Sequence, residues 1–401
     1  MYSYKDVLTF VEQEDVQFIR LAFFDVFGKQ KNISIMPDRL EKAFIEGVSF
    51  DASAIAGFGD EVKCDLFLHP EPDTLSILPW RPSQGRVVRM YCDIRHPDGS
   101  PFNADSRLIL KKAMKYAKSK GFAISFGPEM EFYLFETDEK GFPTTIPFDN
   151  AGYMDIAPED KGENIRREIC FTLIDIGVFP EASHHEEGPG QNEIDFKYSN
   201  PLAAADNTAI FKWVVKTIAS RNGLYADFSP KPLLDQAGNG MHINMSIQSV
   251  DQKDYTLSFI AGILDHIKEM TLFLNPADAS YNRLGGKKAP QYITWSPENR
   301  SQLIRIPAIK SGKHRLELRS PDPLCNPYIA FALLIYAGID GIKRELTPPE
   351  PCNINLYTAD DSITATLDTL PSTLQDAFSI ASESEFIRSV LPEEYIKAYC
   401  K

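Results

Sequence analysis

Cysteine is sparse and scattered: Cys64, Cys92, Cys170, Cys325, Cys352 and Cys400, with no C-x-x-C pair among them. That spacing argues against a zinc ribbon or a disulfide scaffold; it fits reduced thiols, and with them a cytoplasmic location. No run of about 18 apolar residues is present, and the start Met1-Tyr2-Ser3-Tyr4-Lys5-Asp6 lacks the apolar core of a signal peptide. Basic residues fall short of acidic ones, 42 against 56, leaving a net charge of −14 and a pI near 5.1. Such a surface repels nucleic acid and anionic membranes, although local cations can still receive a triphosphate. Neither G-x-G-x-x-G nor G-x-x-x-x-G-K-[ST] occurs, which disfavours Rossmann and P-loop folds. Internal repeats and low-complexity segments are missing too.

What remains is an ordinary globular composition, 43% hydrophobic and 24% charged over 401 residues, long enough for two domains. Ser3 caps a first helix to residue 13; strands follow at 18–27 and 31–35, joined by a turn at Gly28-Lys29. Pro37 opens a helix closed by Gly47, and the stretch Ser49 to Ser53 reads as a loop. Further strands at 65–68, 74–78 and 86–94 complete a mostly β domain, bounded by the turn cluster His96-Pro97-Asp98-Gly99-Ser100-Pro101. Beyond it, helices are predicted over 106–120, 164–176, 201–222, 255–274 and 327–344, with a last one at 372–382. In 255–274, Leu257, Ile260, Ala261, Leu264 and Ile267 recur at helical spacing and form a core stripe. Strands and helices mix without a βαβ rhythm, so the class is α+β.

Chemistry concentrates in four polar strands. In Gly127-Pro128-Glu129-Met130-Glu131-Phe132, alternation puts Glu129 and Glu131 on one face, Met130 and Phe132 on the other. In His184-His185-Glu186-Glu187-Gly188-Pro189-Gly190-Gln191-Asn192-Glu193, Glu186 and Glu193 flank a turn and aim at one point. His242, Asn244 and Ser246 share a face in the third strand; Arg315, Glu317 and Arg319 do so in the fourth. Five Glu gathered on one sheet face repel one another unless cations lie between them. Oxygen ligands with an occasional imidazole favour Mg²⁺ or Mn²⁺ over zinc. Arginines opposite them suit phosphate or carboxylate, and metal with arginine is the apparatus of phosphoryl transfer. The residues alone thus indicate a metal-dependent enzyme acting on a nucleotide and leave the acceptor open. Glu317, taken as an exposed carboxylate, is expected to be dispensable for folding and needed for turnover.

The segments GPEMEFYLF, ASHHEEGPGQNEIDF, GNGMHINMS, NRSQLIRIP and HRLELRSPDPLCNPYIAFALLI, with SFDASAI before them, resemble the glutamine synthetase family, bacterial type I, over nearly the whole chain. The resemblance implies a β-grasp-like N-terminal domain over 1–102 and, over 103–401, a catalytic domain with a curved antiparallel sheet flanked by helices. It also implies homo-oligomeric rings with active sites between subunits. By position, Glu131, Glu186 and Glu193 hold one metal ion, and Glu129, His242 and Glu317 the other, of two or three Mg²⁺ or Mn²⁺. Arg283, Arg319 and the backbone at Gly238 bind glutamate. Glu181, Ser246, Arg305 and Arg315 contact ATP, Arg300 the phosphate, and Asp51 from the neighbouring subunit deprotonates ammonium. The implied activity is ATP-dependent formation of glutamine from glutamate and ammonia through γ-glutamyl phosphate.

The sequence departs from the family pattern in three places. The flap Leu284-Gly285-Gly286-Lys287-Lys288-Ala289-Pro290 carries Lys288 where the family has Glu; at that catalytic position a lysine repels ammonium and is suited instead to a phosphate or the substrate's carboxylate. Ala237 stands where the family has a glutamate-binding Asn, unless Asn239 substitutes for it. The C-terminal tail that joins two rings is short, which leaves hexamer and dodecamer equally open. Lys288 keeps a second reading alongside the first: a γ-glutamyl-amine ligase using an organic amine or polyamine. A third, a non-catalytic regulatory relative, is marked by loss of a metal ligand, and all six ligands are present. Tyr357 reads as structural.

Overall fold

The computed structural model describes residues 2–59, 64–80, 85–308 and 315–400; His314, first residue of the last motif above, lies outside them. Two compact units result. One comprises residues 1–111, 174–177 and 391–401, the other 112–173 and 178–390. The first unit also takes in residues beyond 102. Arg107 and Lys111 both pair with Glu71, while Tyr395 donates to the Val26 carbonyl and Tyr399 packs on Phe27. Those contacts draw the start of the helix Ser106–Ser119 and the chain's last residues into the first unit.

In the first unit, β1 (Val16–Phe24), β2 (Gln30–Ile35), β3 (Val48–Asp51), β4 (Asp65–Pro70), β5 (Ser76–Ile77) and β6 (Arg86–Arg95) form one sheet in the order β2-β1-β6-β4-β3, with β5 also on β6. The β1–β6 pairing is parallel, the others antiparallel. Ile19, Leu21, Leu68, Val88 and Met90 are fully buried along these strands. Ser3 caps the helix Tyr4–Gln13 with a reciprocal bond to Asp6, as its sequence predicts. The expected loop at Ser49–Ser53 is instead β3 followed by a 3₁₀ turn. Four residues are too few to display alternation; the register comes from β4, where Phe50 faces Leu66.

The second unit is built on β7 (Phe122–Thr137), β8 (Pro143–Pro147), β9 (Pro180–His185), β10 (Gln191–Phe196), β11 (Leu224–Asp227), β12 (Met241–Ser249), β13 (Trp295–Pro297), β14 (Ile304–Ile306) and β15 (Arg315–Leu318). The order is β13-β14-β15-β12-β7-β10-β9, with β8 and β11 also on β7; among the described residues, only the β13–β14 pair is parallel. The long strand β7 has β12 on one edge and β10 on the other at Glu129 and Met130. Its apolar face packs backwards: Phe126 stacks on Phe331 of the helix Pro327–Lys343, 4.3 Å between ring centres, and Phe132 meets Phe211 of the helix Pro201–Arg221. The class is α+β with a mainly antiparallel catalytic sheet, as expected. The helix Leu374–Glu383 is not the last. Glu385–Val390 and Glu393–Tyr399 follow, each under two turns and so too short for a helical period to repeat. Among the described residues, no helix is long and apolar enough to cross a membrane.

Candidate active site

Alternation on β7 leaves Glu129 and Glu131 on the face opposite the aromatic core, and the neighbouring strands bring the other acids to them. Glu193 of β10 lies directly across from Glu131 and Asp195 from Glu129; His242 of β12 lies across from Glu129 on the other edge. Glu317 of β15 is in register with Asn244, whose amide donates to Glu129 at 2.7 Å. One donor atom each from Glu129, His242 and Glu317 come within 4.8 Å of one another. His242 Nδ1 is 3.4 Å from Glu129 and 3.6 Å from Glu317. These are the three residues that the resemblance assigns to the second ion, and the strands bring them together.

The first set is arranged differently in one respect. Glu186 and Glu193 meet His184 within 4.8 Å, while Glu131 beside them accepts the Gly240 amide at 2.7 Å. His184 sits across from Glu193 on β9, and its bond to that carboxylate raises the imidazole's pKa. The turn that carries Glu186 is pinned from behind. Buried His185 sets Nδ1 2.6 Å from the Glu186 carbonyl and Nε2 2.9 Å from Asp149; Asp149 also accepts the Gly190 amide at 2.8 Å. Both partners of the ring are acceptors, so both nitrogens donate. Asp160, near this pair, is held by Arg166, so the cluster Asp149, Asp160 and His185 is a satisfied strut, not a further ion site.

The electrostatics record a shortage of positive charge among the acids. Burial, then Glu193 and Glu186, raise Glu131 well above the carboxylate range. Burial and the charges of Glu193 and Glu129 push Asp195 up to about 10. Burial opposes ionisation of Glu193 too, but His184 and His242 bring it down to about 2. Glu317 is likewise about 2, burial being overcome by Arg319, His242 and Arg305. Clustered buried oxygens with one imidazole on each side fit hard divalent ions. Sequence reasoning did not assign Asp195, His184 or Asn244 to the donor sets; alternation, which puts Asp195 on the face of Glu193 and Asn244 on that of His242, is the signal that finds two of them.

A consequence is testable here. A carboxyl whose folded pKa is raised keeps its proton in the native state and sheds it on unfolding, so stability falls as pH climbs from about 4 towards 10. Asp195→Asn needs no such proton. In chelator, its melting temperature is expected to match the parent near pH 4 and exceed it by about 2–4 °C at pH 8. Saturating Mn²⁺ is expected to shrink that gap. A pH-independent difference in scanning calorimetry counts against this account.

The anion side lies next to the ligands. Arg305 donates to Glu317 at 2.7 Å, Arg319 pairs with the same carboxylate, and buried Arg283 donates to the Ser320 carbonyl at 2.7 Å. Gly238 packs on Arg283 so closely that a Cβ would lie 2.8 Å from its Cγ and 2.5 Å from the Pro230 oxygen. Asn239 does not substitute for Ala237: its amide is spent on the Ser229 and Asp227 carbonyls and on Gln191. Ser246 faces Arg315 across β12 and β15. Glu181 is exposed on β9, and Arg300 is exposed in the loop after β13. The Tyr357 hydroxyl donates to the Arg300 carbonyl at 3.2 Å, so its structural role includes placing that loop. The Lys288 ammonium is 2.9 Å from Glu186. Asp51 belongs to the other unit, exposed at the end of β3, where Ser53 binds its carboxylate.

Sheet, donor sets and arginines define a class: an α+β enzyme that gathers carboxylate and imidazole donors, with arginines beside them, on one face of an antiparallel sheet. Residues 103–401 match the glutamine synthetase catalytic domain and residues 15–97 the glutamine synthetase β-grasp domain. The chain belongs to the glutamine synthetase family. It is 45% identical to glutamine synthetase of Clostridium saccharobutylicum, covering 99% of this chain and 93% of that one. It is 44% identical to the Methanosarcina mazei protein of the same name, with 98% and 92% covered. Among solved structures, a GmaS/ADP complex superposes with a TM-score of 0.89 at 28% identity over 98% of this chain and 94% of that one. Plasmodium falciparum glutamine synthetase shares the fold, with a TM-score of 0.88 at 23% identity over 100% and 95%.

Proposed function

We propose that this chain is an ATP-dependent ligase that makes glutamine from glutamate and ammonia through γ-glutamyl phosphate. One observation carries the reading: carboxylates and imidazoles converge on one sheet face in a chain that matches the family over nearly its full length. Two or three Mg²⁺ or Mn²⁺ ions held there would screen the ATP phosphates and make the γ-phosphorus more electrophilic. We assign Glu131, Glu186 and Glu193 to one ion and Glu129, His242 and Glu317 to another. Arg283, Arg319 and the Gly238 backbone hold glutamate. Glu181, Ser246, Arg305 and Arg315 hold the nucleotide, and Arg300 offsets charge on the phosphoryl group in transit. A γ-carboxylate oxygen of glutamate attacks the γ-phosphorus and ADP leaves. Ammonia, after Asp51 of a neighbouring subunit has taken a proton from ammonium, attacks the acyl carbon and phosphate leaves. We place these sites in a homo-oligomeric ring of six or twelve subunits, in the cytoplasm.

Lys288 favours a second reading, in which the amine is organic, because its charge stands beside Glu186 where ammonium would be attracted. A phosphate-release assay with glutamate, ATP and Mg²⁺ separates the two by comparing ammonium with methylamine, ethanolamine and polyamines. Ammonium is expected to give the highest kcat/KM, by about tenfold or more. No release with ammonium would overturn the leading reading, and no release with any amine would leave only a non-catalytic relative.

A further inference from the structure

The flap loop carries a feature that the ligase reading does not use. Lys288 Nζ lies 2.9 Å from Glu186 and 3.4 Å from Glu187, and 4.3 Å from the centre of the Tyr153 ring. Lys287 pairs with Glu187 at 2.9 Å. The loop is closed on itself: the Gly285 amide donates to the Ala289 carbonyl at 2.8 Å, and the Ala289 amide to the Gly286 carbonyl at 3.1 Å. Lys288 takes a left-handed backbone with φ of 60°, which a lysine rarely adopts. Two carboxylates and an aromatic face thus hold a primary ammonium in place despite that strain.

We propose that Lys288 is a tethered cation that shares Glu186 with a divalent ion, so that ion binding and the seating of residues 284–290 oppose each other. The inference rests on the assignment of Glu186 as an ion ligand. Glu186 is only 4% exposed and stands beside Glu131 and Glu193, so its charge requires a cation close by. Lys288 sits on Oε2 of Glu186, which leaves Oε1 for an ion; with both present on one carboxylate, the two cations repel at short range. Lys288 then falls back on Glu187, which Lys287 already occupies, and the loop keeps only its outer pair. Linkage makes the effect reciprocal: whatever the ion does to the loop, the loop does to ion affinity.

Mn²⁺ binding to the full-length assembled protein without nucleotide, followed by electron paramagnetic resonance, tests this. Lys288→Gln is expected to tighten Mn²⁺ binding about tenfold, within the usual range of coupling between sites. Lys287→Gln, which leaves Glu186 untouched, is expected to change it by less than about twofold. In the parent, saturating Mn²⁺ is expected to speed tryptic cleavage after Lys287 and Lys288 severalfold. Equal or weaker Mn²⁺ binding by Lys288→Gln, with the parent still binding the ion, overturns the latch alone. If Glu186→Gln binds Mn²⁺ as well as the parent, the ligand assignment falls and the latch with it.

Discussion

Glu317→Ala is expected to abolish phosphate release and also to destabilise the protein by about 3–5 kcal/mol. Sequence reasoning places this carboxylate in solvent, where its loss would barely register in folding. The structure corrects that: Glu317 is 1% exposed, as is Arg319, and it receives both Arg319 and Arg305. Its alternation with Arg315 and Arg319 places it on the site face, but at Glu317 that face is packed with charged neighbours and buried. Removing the acid therefore strands a buried guanidinium, which is more damaging than losing a well-made pair. Glu317→Gln keeps the volume and one acceptor and is expected to recover part of the stability without the activity. The double variant Glu317→Ala/Arg319→Met is expected to be more stable than Glu317→Ala alone, because the stranded charge goes too. Urea midpoints for the parent, Glu317→Ala, Arg319→Met and the double variant check the coupling. Parent-like activity of Glu317→Ala with Mg²⁺ would remove it from the ligand set.

Sequence legibility follows period and length. β7 could be read because sixteen residues alternate through Glu129-Met130-Glu131-Phe132 with aromatics on the core side, and the acids on the other face have few structural uses. The turn at Glu186 could be read from Gly188-Pro189-Gly190, but not the strut behind it. His185 and Asp149 are 36 residues apart, and neither strand nor helix periodicity links them. β3 escaped because a four-residue strand borrows its register from β4. The contact between Lys288 and Glu186 joins positions 102 apart; local pattern identifies the unusual lysine and is silent on its partner.

Gly341→Val is expected to lower the melting temperature by several degrees and to cost about 3 kcal/mol or more, at the upper end for an overfilled interior. Periodicity predicts that Leu257, Ile260, Ala261, Leu264 and Ile267 form the buried stripe of the helix Thr256–Leu274. Four of them do, while Leu257 is 49% exposed. The closest approach runs through glycine instead. A Cβ on Gly341 would lie 2.2 Å from the Ser258 oxygen and 2.5 Å from the Gly262 nitrogen, and one on Gly262 would lie 2.2 Å from the Ala337 oxygen. Every obstructing atom is backbone, so no rotamer change relieves the clash and the two helices must part. Gly341→Ala is the stricter variant: better helix propensity favours it by about 1 kcal/mol, yet its Cβ meets the same oxygen. A melting temperature at or above the parent's would show that the helices are not in contact there. The displacement should also reach the site, because the helix Pro327–Lys343 carries Phe331 against Phe126, three residues before Glu129 on β7. Weaker Mn²⁺ binding by the folded fraction of Gly341→Ala is therefore expected alongside the lower melting temperature, since the aromatic pair behind β7 helps to fix the strand that presents Glu129 and Glu131.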